Sequence, residues 1–480
     1  MTTELQLAAE VVDLVTTVAG REAAAEVTVS HDAEALTRFA NSAIHQNVAE
    51  ATTSVRLRLH ADGRTAGATT TVTSPEGLRS LVERTLAAAR VSPPDKAWPG
   101  LTPPSALHHS AGYHGSGRNS GLDFGFDEAT AHATPEERAT RVLDFVGAAG
   151  GLETAGYCRT TYTAAAFANT AGQSVEGRTA EAAFDGIARV DGADGVARLA
   201  GGRLADLDGA LLGARAAAKA RAGSRPIELA PGRYEVVLEP EAVSDLLHNL
   251  AFFGFNGKAW GQHQSFAVIG EDQFDPSITL IDEPLGSRPE PAPGLPFDIE
   301  GTPTQSLVLV REGITKAVTH DRSSAAAARA ESTGHASGSS RTWGPIATHM
   351  SLEAAPPASE PALPPADPSS PVAAAARPLV ARMERGLLIT DFWYTRCLDQ
   401  KALIMTGLTR NGVWLVEDGE IKGAVGNMRF TQAYPQALGP GMVHGIGSES
   451  VLLPDRWSGV RYAAPALHLA SWNLTGNASG

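Results

Sequence analysis

Near residue 226 the chain changes its apolar rhythm, and that change constrains the fold more than any single motif. Upstream, helical periodicities alternate with hairpin patterns; downstream, short β-rich runs follow one another with turn signals between them. A chain of 480 residues is too long for one ordinary core, so the change marks a boundary between two domains, 1–225 and 226–480. The expected class is α+β, with an N-terminal mixed helix and sheet domain and a C-terminal β-rich, barrel-like domain.

In the first half, Leu7, Val11, Leu14, Val15 and Val18 recur at helical spacing until Gly20 stops them. A strand at 25–30 precedes β-rich runs at 52–60 and 65–72, which Asp62-Gly63 joins as a hairpin. Ser74-Pro75 opens a helix that carries Leu78, Leu81, Val82 and Leu86 on one side. Thr134-Pro135-Glu136-Glu137 is a capping box for a further helix. Runs at 160–169, 173–179 and 180–190 read as strands, and an Ala-rich helix over 207–222 ends at Gly223. Beyond the boundary, a strand at 234–238 passes directly into a helix over 241–253, and short strands are expected at 306–311, 387–391 and 413–417. The Pro/Ala/Ser tract 353–378 carries too little apolar surface to offset its ordering entropy, which predicts a flexible surface insertion.

Charge and cysteine content narrow the function. With 39 basic and 53 acidic residues the net charge is −14, the wrong sign for holding a phosphate backbone by counterion release, so no nucleic-acid partner is expected. Two cysteines, Cys158 and Cys397, cannot build a disulfide framework and suit a reducing cytosol. The start of the chain lacks the basic and apolar blocks of a signal peptide, and no stretch reaches membrane-span length, so a cytoplasmic protein without a membrane partner is expected.

The common catalytic signatures are missing. None of the 14 histidines precedes a glutamate, so no zincin helix with its built-in general base exists, and neither a Gly-x-Ser-x-Gly elbow nor a phosphate-binding glycine loop with Lys and Ser/Thr is found. Gly439-Pro440-Gly441 lacks dinucleotide-binding spacing. His108, His109 and His114 share a loop with no carboxylate or thiol beside them, which reads as a solvated segment. Cys397 follows Arg396 but is more simply a small buried hydrophobe than an activated thiol. His248 stands among Val243, Leu246, Leu247 and Leu250, and its spacing alone suits a core or interface histidine.

Several strings nevertheless occur in a telling order. The strand-to-helix entry over 239–254, Phe297-Asp298-Ile299-Glu300-Gly301 with Glu312-Gly313, Ser332-Thr333-Gly334-His335-Ala336, the 414–421 stretch and Ser450-Val451-Leu452-Leu453-Pro454 together resemble the TldD/PmbA family of bacterial peptide-processing metalloproteases. Catalytic TldD-type members carry His-Glu-x-x-x-His and a later cysteine as metal ligands. Histidines five apart stand about 140° apart around an ideal helix, so such a site depends on a local distortion or a helix end. The matching positions here are His248, Asn249 and Phe253, with Ser448 at the cysteine position. One ligand of three survives, and zinc normally takes at least three protein donors. The resemblance therefore implies a TldE/PmbA-like subunit with no catalytic or metal residues of its own and no cofactor in this chain. Its implied partners are a zinc-bearing TldD-like catalytic subunit and an extended or unfolded peptide. Two alternatives stay open: an independent hydrolase using a non-family site, for example around His248, His263 and Asp272, and a peptide-binding module without a protease partner.

Overall fold

The computed structural model describes residues 3–108, 126–286, 294–356, 369–454 and 460–478. Helix α1 (Glu4–Ala19) opens on a reciprocal capping box between Thr3 and Gln6. Strands β1 (Ala24–Ala40), β2 (Ala43–Ala61) and β3 (Arg64–Thr70) form a meander before helix α2 (Pro75–Val91), which Ser74 caps. Both turns of the meander have two residues with positive φ, Asn41-Ser42 (50° and 60°) and Asp62-Gly63 (49° and 70°). Such turns match the right-handed twist of the strands they join.

Helices α3 (Glu128–Ala131) and α4 (Pro135–Ala148) lead to strands β4 (Glu153–Asn169), β5 (Ser174–Val190) and β6 (Ala193–Gly201), then to helix α5 (Gly209–Ala222). Thr134 and Glu137 make the expected capping box at α4. The six strands form one antiparallel sheet in the order β3-β2-β1-β4-β5-β6.

The observed strands differ from the expected ones in three ways. β1 runs to Ala40 rather than residue 30, because β2 and β4 pair with it on either side and satisfy its backbone through the polar stretch from His31 to Arg38. The expected runs at 173–179 and 180–190 are the single strand β5, paired without a break from Ser174 to Arg189. β6 was not expected, although Asp191-Gly192 supplies its turn.

Two apolar clusters lie on this sheet. Val11, Val15, Leu81 and Val82 of α1 and α2 pack on Val27, Val55 and Leu57. Under α4 and α5, Phe39, Phe145 and Phe184 pack with an alanine-rich surface. A Cβ at Gly213 would lie 2.2 Å from the Phe145 carbonyl oxygen, so glycine lets α5 approach the α4 backbone.

In the second half, strand β7 (Gly232–Leu238) feeds helix α6 (Pro240–Asn249). The later strands are β8 (Leu280–Asp282), β9 (Leu307–Arg311), β10 (Ile314–Thr315), β11 (Met350–Leu352), β12 (Arg385–Asp399), β13 (Ile404–Glu417), β14 (Glu420–Ala424), β15 (Met428–Ala433), β16 (Val443–Ile446), β17 (Val451–Leu453), β18 (Tyr462–Ala464) and β19 (Leu467–Asn477). The order β12-β7-β19-β15-β13, with β13 pairing back onto β12, closes a five-stranded barrel that β14 and β16 extend. Phe392, Phe430 and Trp472 meet in its interior, the Phe392 and Trp472 rings stacking at 5.1 Å. A second sheet runs β10-β9-β8-β11-β18-β17. Helix α6 packs against both β12 of the barrel and β18 of this sheet.

The tract 353–378 corrects an expectation. Its last residues are not a loose surface insertion: Ala373, Ala375, Ala376 and Pro378 are buried, and Ala376 packs with Leu388 and Trp414 alongside Leu379 and Val380, which follow the tract. Alanines are small enough to enter a tight space, and the Ala373 N–H donates to Glu239 Oε1 at 2.8 Å. Residues 357–368 of the tract lie outside the described residues.

Buried ion pairs link the first sheet and α5 to the barrel half. Arg198 on β6 reaches Asp391 at 2.7 Å, Arg215 on α5 reaches Glu241 at 3.2 Å, and Lys219 pairs with Glu239.

Candidate functional site

Glu239 and Pro240 start α6, and Val243, Leu246 and Leu247 hold it in the core. At its end the helix widens into a π-turn over Leu250–Gly254, where the Phe255 N–H donates to the Leu250 carbonyl at 2.9 Å, an i→i+5 bond. This is the kind of local distortion that ligands five residues apart require.

His248 is half-buried on this segment. The Tyr462 hydroxyl lies 3.5 Å from its Nδ1, the Tyr462 ring stands edge-on at 5.8 Å, and the Phe252 ring stacks at 6.1 Å. Asn249 is buried, and its Nδ2 donates to the Asp245 carbonyl at 2.7 Å. Thr395 donates to the Asp245 carboxylate at 2.8 Å. Phe253 is half-buried and meets Phe252 edge-on at 4.8 Å; Phe252 in turn meets the exposed Trp343 at 5.8 Å. Ser448 lies half-buried between β16 and β17, next to Gly447, whose N–H and carbonyl are bonded to Ala466 and Ala355. Tyr462, Phe252 and Trp343 were not anticipated around His248, since only Phe252 lies near it in sequence.

These residues do not fit a catalytic zinc. His248 offers one imidazole, Asn249 spends its amide on Asp245, Phe253 has no donor atom, and a neutral Ser448 hydroxyl is no substitute for a thiolate. No carboxylate occupies the general-base position. The segment presents instead an imidazole among aromatic rings.

The other candidates separate. Among the described residues, His248, His263 and Asp272 do not form a group of ligand atoms within 4.8 Å; the one such group lies in the barrel wall. His263 is exposed at a φ of 57°, and Asp272 is exposed where it bridges to Ile314. Burial pushes the Cys397 thiol up, and Arg396 stacks over Tyr394 at 4.1 Å. That is a packing cysteine. Of the histidine loop, His109 and His114 lie outside the described residues.

Two strings far apart in sequence come together. Asp298 accepts from the N–H groups of Glu300 and Thr302 at 2.9 and 3.0 Å and from Ala336 at 2.9 Å, clamping 297–302 to 332–336. Burial, with Glu300 nearby, pushes the Asp298 carboxyl up to about 8 against these three donors. His335 donates to the buried Asp282 at 2.9 Å. Cavities of about 610 Å³ and about 560 Å³ share Ile299, Ala336, Ser337 and Gly338 as lining. The first sheet supplies the facing walls, through Arg56 and Arg58 in one and Arg159 and Thr163 in the other.

Residues 231–476 match the PmbA/TldA metallopeptidase C-terminal domain, and residues 25–89 match PmbA/TldA metallopeptidase domain 1. No curated protein matches the chain. Solved structures that share its fold include three of nearly full coverage. TldE from Thermococcus kodakarensis has a TM-score of 0.79 at 17% identity, covering 97% of this chain and 99% of that one. A candidate modulator of DNA gyrase from Thermotoga maritima has a TM-score of 0.76 at 17% identity with the same coverages. Another, from Bacteroides thetaiotaomicron, has a TM-score of 0.79 at 18% identity, covering 99% and 100%. Among the described residues no helix is long and apolar enough to cross a membrane. With a domain match over half its length and a second near its start, the chain belongs to the PmbA/TldD metallopeptidase family.

Proposed function

We propose that this chain is the TldE/PmbA-like partner of a TldD-type metallopeptidase and works on unfolded peptides or peptide precursors in the cytoplasm. The observation that carries the reading is the donor set on the α6 segment: His248 is followed by Asn249 and Phe253 where a catalytic member needs a carboxylate and a second imidazole. A chain with that set gains a proteolytic role only through a subunit that brings its own zinc. Its contribution is a wall of the reaction chamber, where the exposed Trp343 ring and the half-buried rings of Phe252 and Phe253 meet an extended peptide.

The test is co-expression with a TldD-like chain from the same organism, co-purification, and cleavage of an unstructured peptide by the mixture and by each chain singly. Association and faster cleavage by the mixture are expected. Phe253→Asp should lower cleavage about tenfold or more, by placing a charge among the rings, while the partner keeps its zinc. Failure to associate, or equal cleavage by the TldD-like chain alone, sinks the subunit reading. Cleavage by this chain alone would point to an independent hydrolase.

A further inference from the structure

One group of donors in the barrel wall has no part in that reading. Glu235 stands on β7, His468 on the neighbouring β19, and His444 on β16, which flanks β19 on its other side. His468 Nε2 lies 2.6 Å from Glu235 Oε1, and His444 Nδ1 lies 3.5 Å from the same oxygen. The two imidazoles meet edge-on at 5.1 Å, and one ligand atom from each of the three residues lies within 4.8 Å of the others. Ligand atoms on one tetrahedral zinc stand about 3.3 Å apart, given bonds of about 2.0–2.1 Å. The observed spacings bracket that value, so small side-chain rotations would seat an ion.

The placement of His444 argues for more than a hydrogen-bond network. Glu235 and His468 alone would tie β7 to β19. His444 is the extra residue of a β-bulge: Val443 pairs with Leu469 and Gly445 with His468, leaving His444 between them. A bulge re-aims a side chain, and this one turns an imidazole toward Glu235. The His468 side chain is 4% exposed, Glu235 27% and His444 44%, which leaves the group open on the His444 side. Three protein donors with one open side is the arrangement of zinc sites that keep a water or an exchangeable ligand. Two imidazoles favour zinc, nickel or copper over magnesium or calcium.

We propose that Glu235, His444 and His468 form a binding site for a borderline divalent metal ion such as Zn²⁺, separate from the α6 position where the family's catalytic metal would lie. The bound ion would clip three strands of the barrel wall together.

The untagged full-length chain, freed of metal by chelation and dialysed, is titrated with Zn²⁺ by calorimetry, with elemental analysis of the loaded protein. One zinc per chain is expected, with no comparable heat from Mg²⁺. His444→Ala changes an exposed side chain and should weaken zinc binding about a hundredfold or more, since even removal of an outer partner of a ligand costs 10–100-fold. Glu235→Gln should do the same, and His248→Ala should leave the affinity unchanged. Absence of zinc binding by the parent chain, or undiminished affinity in both His444→Ala and Glu235→Gln, overturns the site. Zinc lost with His248→Ala but kept in His444→Ala would overturn this inference and also the subunit reading, whereas zinc held at the barrel wall leaves that reading intact.

Discussion

Glu26 on β1 is a buried carboxyl beside a cation that does not fully serve it. Arg58 Nη1 donates to its Oε2 at 3.2 Å and also to Glu300 Oε1 at 2.9 Å, while Glu26 Oε1 has no hydrogen-bond partner. Burial pushes the carboxyl up to about 7, Arg58 works against that, and Glu300 adds repulsion. The folded chain therefore holds a proton here that the unfolded chain releases near the ordinary value of 4.5. The resulting stability is complete below about pH 4.5 and is lost as pH rises through about 7. Glu26→Gln should remove that part of the pH dependence and stabilise the chain at pH 8 by on the order of 1–3 kcal/mol. Thermal melts from pH 5 to 8 measure it. Parallel profiles for the two proteins would mean that Glu26 is already ionised and held by Arg58. None of this was legible in the sequence, because Glu26 and Glu300 meet only through tertiary packing. His248 was legible as a position, but its aromatic surroundings depend on Trp343 and Tyr462.

At the scale of elements, signals that act over a few residues were read well. The capping box at Thr134, the Asp62-Gly63 turn and the passage from β7 into α6 all lie where local chemistry placed them. Errors came where pairing partners decide the outcome. Polar residues carry β1 far past its apolar start because two neighbours hydrogen-bond it. The barrel-like C-terminal domain, by contrast, is as expected, closing as β12 pairs with both β7 and β13. The alanine-rich end of 353–378 misled for a related reason: low hydropathy does not prevent docking when small side chains meet an apolar slot and a buried acceptor. Replacing 372–380 with a Gly/Ser linker of equal length should cost about 3–6 kcal/mol, from the lost burial of Leu379 and Val380. Urea denaturation measures it, and unchanged stability would restore the reading of a dispensable insertion.

For the whole molecule, the central question is what holds the first sheet and its helices to the barrel half. Lys219 comes from α5 and Glu239 from the start of α6, and both side chains are fully buried. Burial alone would push the Glu239 carboxyl up, but Lys219 first and Arg215 next outweigh it, so the group stays below the usual carboxylate range. Its two oxygens are shared between the halves, one with Lys219 and one with the Ala373 N–H. Lys219→Met should leave an anion with Arg215 4.0 Å away and little else to balance it, at a cost of about 3–5 kcal/mol. Adding Glu239→Gln should recover most of that loss, because the uncompensated charge, more than the missing attraction, is what destabilises the single variant. Acid should have a similar effect. A carboxyl with a depressed value stabilises the parent above about 4.5 and loses that contribution as pH falls, whereas in Lys219→Met the carboxyl is raised and takes a proton more readily. Urea unfolding at pH 7 and pH 5 should therefore show the gap between parent and single variant narrowing at the lower pH. A gap below about 1 kcal/mol at pH 7, or a double variant no better than the single one, would show that apolar packing alone joins the halves.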